Sequence, residues 1–134
     1  MEPDFVEEYT KRRYKELLKQ SACVRKIEDE RVFVAKSEKD TMVVHFSNRD
    51  FKRCKEMARA LDEVCHKFPG VEFCVVEAAD FPFVTEKMAI GALPYLAVFS
   101  KGYFIDAIVG FEGIGEEKID PVLLEKSIGS MLGQ

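Results

Sequence analysis

Cys54 is the side chain of this sequence best placed for nucleophilic chemistry. It follows Phe51, Lys52 and Arg53 and precedes Lys55, at the start of a stretch with helical apolar spacing. A helix N-terminus and nearby cations both favour thiolate over thiol, and the thiolate is the attacking form. Cys54 could therefore act as a lone redox-sensitive thiol. The competing reading makes it a small core side chain. Phe51, Cys54, Met57, Ala58, Leu61, Val64, Cys65 and Phe68 repeat at helical spacing, which favours the core reading.

The other cysteines are Cys23, Cys65 and Cys74. None forms a Cys-X-X-Cys pair, and His45 and His66 make no ligand pattern with them, so neither a dithiol motif nor a zinc site is expected. The reading is free thiols, buried as apolar groups in a reducing compartment. Gly110, Gly113 and Gly115 match no phosphate-binding fingerprint and read as turn residues. No cofactor is expected.

Tyr9, Arg12 and Arg13, with Lys11 and Lys15, put an aromatic and a basic cluster near the start of the chain. Such a cluster could grip an acidic protein surface. Glu7, Glu8 and Glu16 beside it are equally consistent with a solvated, salt-bridged face, and both readings stay open. The net charge of -4 over 134 residues offers phosphates no overall attraction, so no nucleic-acid partner is expected. No apolar run approaches the ~20 residues of a membrane span. The acidic first residues lack the basic and apolar regions of a signal peptide, so an intracellular protein is expected.

The elements that must position these residues follow from patterning. Residues 3–19 read as a helix with an incomplete apolar stripe. Residues 23–27 read as a short strand. Residues 29–36 read as a helix capped by Asp29 with Val32, Phe33 and Ala35 inward, or residues 31–35 as a strand. Residues 41–46 are apolar nearly throughout, as in a strand covered on both faces. Residues 47–68 form the clearest helix, with Ser47 and Asp50 as a capping box and Pro69-Gly70 as its stop. Residues 71–76 read as another apolar strand. Residues 80–88 read as a short helix with Asp80 as cap and Pro82 in its first turn. Residues 95–99 and 103–109 form a hairpin across Ser100-Lys101-Gly102. Asp120-Pro121 opens a last helix. The order implies an α/β domain: a central mixed sheet, parallel units first and an antiparallel hairpin last, flanked by helices.

A strand running into the tetrad Phe51-Lys52-Arg53-Cys54 and a helix, then Leu93-Pro94 opening a second strand, resembles the thioredoxin superfamily. There, a Cys-X-X-Cys pair starts the helix and a cis-proline faces it. By this resemblance Phe51 stands at the attacking cysteine and Cys54 at the resolving one. His45 stands at the buried acid that assists proton transfer, and Pro94 at the cis-proline. A phenyl ring cannot attack a disulfide. Phe51 reads either as an exposed anchor for a partner or as filler of the groove beside Pro94. Pro94 then shapes the turn. With no nucleophile to serve, His45 reads as a hydrogen-bonded interior histidine.

Val44-His45-Phe46, Phe51-Lys52-Arg53-Cys54-Lys55, Leu93-Pro94-Tyr95-Leu96-Ala97-Val98-Phe99, Val109-Gly110-Phe111-Glu112-Gly113-Ile114-Gly115 and the early Phe5-Val6-Glu7-Glu8-Tyr9 resemble the phosducin-like branch of that superfamily. The resemblance implies a thioredoxin-like fold over residues 23–134 with an extra N-terminal helix over residues 1–22. It further implies a non-catalytic cytoplasmic protein, compatible with nuclear presence, that acts as a co-factor of the cytosolic chaperonin on actin- and tubulin-type clients. The alternative is a monothiol redox protein or sensor acting through Cys54. A third reading is a scaffold in another complex, such as the splicing machinery.

Overall fold

A computed structural model describes residues 23–134. The first helix read from the sequence, with Tyr9, Arg12 and Arg13, lies outside the described residues. In chain order the elements are β1 (Val24–Lys26), α1 (Glu30–Ser37), β2 (Thr41–Ser47), α2 (Lys52–Val64), β3 (Glu72–Glu77), α3 (Pro82–Lys87), β4 (Tyr95–Ser100), β5 (Tyr103–Val109) and α4 (Pro121–Met131). Single 3-10 turns, Cys65–Lys67 and Ala78–Asp80, follow α2 and β3.

The strands form one sheet in the order β1-β3-β2-β4-β5. β1 and β2 run parallel to β3, while β4 runs antiparallel to both β2 and β5. β2, buried from Met42 to Ser47, is the middle strand, as its unbroken apolar run predicts. Side chains alternate across a strand, and this splits the core in two. Val43, Phe73, Leu96 and Val98 pack with Met57, Leu61, Leu124 and Ile128 under α2 and α4. Met42, Val44, Phe46 and Phe99 pack with Phe33, Phe81 and Val84 on the other face. Phe33 is the hub of that second layer, with its ring edge-on to Phe46, Phe81 and Phe99 at centroid separations of 6.1, 5.6 and 5.9 Å. Such edge-to-face pairs suit the aromatic quadrupole.

Several local expectations are met. Asp29 caps α1 by accepting the N–H of Arg31, and Asp120 caps α4 by accepting that of Val122, with Pro121 in the first turn. The strand alternative for residues 31–35 gives way to this helix. The hairpin turns on Lys101 and Gly102, both at positive φ (47° and 90°), the arrangement that matches the twist of a two-residue hairpin loop.

Other local expectations are corrected. Within α1 only Phe33 is fully buried, while Val32 and Ala35 face outward. The long helix begins at Lys52 rather than Ser47, because Ser47 pairs with Glu77 as the last residue of β2. No capping box forms: Asn48 Oδ1 accepts the N–H of Asp50 in a local turn, and the cap position falls to Phe51, which has no capping side chain. Ala60 rather than Ala58 joins the buried stripe. Phe81 rather than Asp80 precedes α3, and Pro82 is its first residue.

Candidate functional site

The end of β2, the start of α2 and the loop before β4 converge on the positions singled out by sequence. The ladder carries β2 through Ser47, the Asn48 turn reverses the chain, and Phe51 opens α2. Phe51 is 46% exposed. Lys52 and Arg53 are exposed beside it. The Arg53 guanidinium lies over the Phe111 ring, 5.0 Å from its centroid, a cation–π arrangement that ties α2 to the loop after β5. The Leu93-Pro94 bond is cis and Pro94 is buried. The Pro94 carbonyl accepts the N–H of Gly110 at 2.8 Å, and Gly110 has a φ of 61°.

Cys54 lies inward of this rim with 1% of its surface exposed. Its Sγ accepts the backbone N–H of Asn48 at 3.4 Å. The thiol thus belongs to the apolar stripe of α2, and the cations beside it in sequence point outward. Cys74, on β3, is also buried and free, and burial pushes its thiol up to about 12.

His45 follows Val43 on β2 by two residues and so shares the face covered by α2. It is fully buried. The expectation that it is hydrogen-bonded is not met: neither Nδ1 nor Nε2 has a partner among the described residues. Its flanking register partners are Leu96 and Val75, which offer no side-chain acceptor. Desolvation disfavours the imidazolium and holds its pKa at about 4. The ring is neutral at pH 7.

Glu56, one turn into α2, was not singled out by sequence. Its carboxylate takes Arg59 Nε and Nη2, each at 2.7 Å, and the buried Ile119 N–H at 2.7 Å. These bonds, the Arg59 pairing first, hold its pKa at about 2. Glu56 thereby fastens α2 to the loop before α4. That loop closes through Gly115, which bridges to Ile119 and leaves no room for a Cβ: one placed there would collide with the Lys118 carbonyl oxygen.

A second cluster sits at the opposite end of the sheet and corrects the free-thiol reading. Cys23 and Cys65 form a disulfide, with Cα atoms 6.1 Å apart. Cys23 is half-buried and Cys65 buried. His66 Nε2 lies 3.7 Å from Cys23 Sγ, so the two cysteines and His66 gather although their spacing shows no motif. The signal available was topological. A crossover helix runs antiparallel to its strands, so the end of α2 returns to the end where β1 starts.

The family model described as Thioredoxin matches residues 23–120. The chain is similar to Phosducin-like protein 3 of Dictyostelium discoideum, 38% identical over 69% of this chain and 52% of that protein. It is similar to Thioredoxin domain-containing protein 9 of Homo sapiens, 31% identical over 79% of this chain and 48% of that protein. The chain therefore spans about half the length of these curated relatives. In fold it is similar to the thioredoxin of Plasmodium falciparum, with a TM-score of 0.67 at 21% identity, covering 80% of this chain and 98% of that one. Among the described residues no helix is long and apolar enough to cross a membrane.

Proposed function

The chain belongs to the thioredoxin family, with phosducin-like proteins among its relatives, and from that premise we propose that it is a non-catalytic binding protein at the Phe51–Cys54 position and a co-factor of the cytosolic chaperonin. Its clients are of the actin and tubulin type, and it works in the cytoplasm. The observation that carries this reading is Phe51: where the fold presents an attacking thiol, this chain presents a phenyl ring, 46% exposed, at a helix start. An aromatic side chain on a rigid rim suits partner binding, since it adds apolar contact at small entropic cost. The monothiol alternative draws no support from Cys54, which is buried and already accepts a hydrogen bond.

The test is co-sedimentation of the whole chain with purified cytosolic chaperonin, with and without ATP. The comparison proteins are Phe51→Asp and a variant lacking residues 1–20. Co-migration weakened by Phe51→Asp supports the reading and places the rim in the interface. Loss on truncation alone supports the chaperonin and moves the interface to Tyr9, Arg12 and Arg13. Absence of co-migration under every nucleotide condition, with the fold intact, overturns it.

A further inference from the structure

Beyond that binding role, and independent of it, we propose that Cys23, Cys65 and His66 form a thiol–disulfide exchange site for a small anionic disulfide. The site lies at the end of the sheet opposite Phe51. Three observations carry it. The two sulfurs are bonded, and their Cα separation of 6.1 Å lies within the ordinary disulfide range. The partners differ in access: Cys23 is half-buried while Cys65 is 4% exposed. His66, exposed in the 3-10 turn after α2, sets a ring nitrogen 3.7 Å from Cys23 Sγ. An accessible thiol beside an imidazole, backed by a shielded second thiol, divides the work of attack and resolution.

An open groove of about 730 Å³ leads to Cys23. It is lined by Arg25, Lys36 and Lys39, with Asp40 and Glu72 as its acidic members. Glu72 is engaged with Lys36 at 2.8 Å. That pairing neutralises Lys36 as well, which leaves Arg25 and Lys39 against Asp40; on a chain of net charge -4 this is a local excess of positive charge, and it favours a disulfide that carries carboxylates.

The exchange balances as follows. In the reduced protein His66 takes the Cys23 proton. The Cys23 thiolate attacks one sulfur of the substrate disulfide, the substrate S–S bond breaks, and one thiolate leaves. Cys65 loses its proton to water and attacks Cys23 Sγ, expelling the second thiolate. Two electrons pass from the protein pair to the substrate, and the Cys23–Cys65 disulfide is the product. A thiol reductant returns it to the dithiol.

The experiment follows the reduced whole protein mixed with oxidised glutathione, read by intact-mass spectrometry, with cystamine as the cationic disulfide for comparison. Cys65→Ser is expected to trap one glutathione on Cys23, located by peptide mapping, whereas the unaltered chain releases it and ends as the internal disulfide. His66→Gln slows the attachment step in the Cys65→Ser background without lowering the melting temperature. Arg25→Glu with Lys39→Glu slows oxidised glutathione roughly tenfold and spares cystamine. Because loss of the disulfide could loosen the fold, near-ultraviolet circular dichroism of the reduced unaltered chain is recorded first, and its own oxidation rate is a second readout. Attachment elsewhere than Cys23, equal rates for the two disulfides, or no slowing by His66→Gln would each overturn the proposal. None of these outcomes bears on chaperonin co-sedimentation.

Discussion

The backbone N–H of Asn48 donates to Cys54 Sγ across 3.4 Å, which fastens the turn after β2 to the first turn of α2. The sulfur here holds structure. Alkylation of native Cys54 is expected to run at least about tenfold slower than in the denatured chain, because it requires a local opening. Cys54→Ala should cost about 1–2 kcal/mol, from the lost packing and the orphaned Asn48 donor. Peptide-resolved iodoacetamide labelling and urea melts check both, and rapid native labelling of Cys54 would reverse the assignment.

His45 makes stability sensitive to mild acid. Its folded pKa of about 4 lies below the ordinary value of 6.5, so between these values the unfolded chain binds a proton that the native chain does not. Stability is full above pH 6.5 and falls toward pH 4, on the order of 3 kcal/mol from this residue. His45→Leu should remove that slope. It should also stabilise by about 1–3 kcal/mol at pH 7, by deleting two unpartnered nitrogens. Urea melts of both proteins at pH 7 and 5 decide it; parallel losses would clear His45.

Glu56 acts with the same sign in a more acidic window. Its pKa of about 2 lies below that of a free carboxyl. The stability it contributes is present above about pH 4.3 and is lost as pH falls toward 2. Glu56→Ala leaves the buried Ile119 N–H without its acceptor and should cost about 1–3 kcal/mol. Glu56→Gln keeps an oxygen for Ile119 and should lose less, while flattening the decline below pH 4. Hydrogen exchange at Ile119 provides the site-specific measurement.

The hairpin offers a backbone test. A Cβ at Gly102 meets nothing closer than 3.8 Å, so the cost of Gly102→Ala is conformational, about 1 kcal/mol at its φ of 90°. Lys101→Asn should stabilise by a few tenths of a kcal/mol, since asparagine tolerates the left-handed region better. Gly115→Ala should be far worse, because its Cβ collides with backbone. Thermal melts rank the three; equal losses for the two alanines would refute the distinction.

Local patterning made much of the fold legible. The apolar run at Met42–Phe46 announced a central strand, and Asp29, Asp120-Pro121 and Lys101-Gly102 marked caps and turn through chemistry confined to a few residues. Legibility ended where distant partners decided. Ser47 looks like a helix cap, but the ladder to Glu77 claims it for β2. Cys23 and Cys65 are 42 residues apart, and only the sheet order brings them together. Glu56 gave no signal, because its second partner is a backbone N–H 63 positions away. At the rim, the sequence placed Phe51 and Cys54 at a helix start, but the exposure of one and burial of the other depended on where the helix began.

The register of β5 shifts between its pairs with Val98 and Phe99, so that Ile105 is an extra residue on this edge strand. Asp106 Oδ1 already accepts the N–H of Ala107 at 2.8 Å. A straight strand from another molecule would find the spacing of this edge out of step and one of its donors occupied. At this edge the chain can therefore display Tyr103, Phe104 and Ile105 to water without a straight template there on which the sheet of another copy could grow.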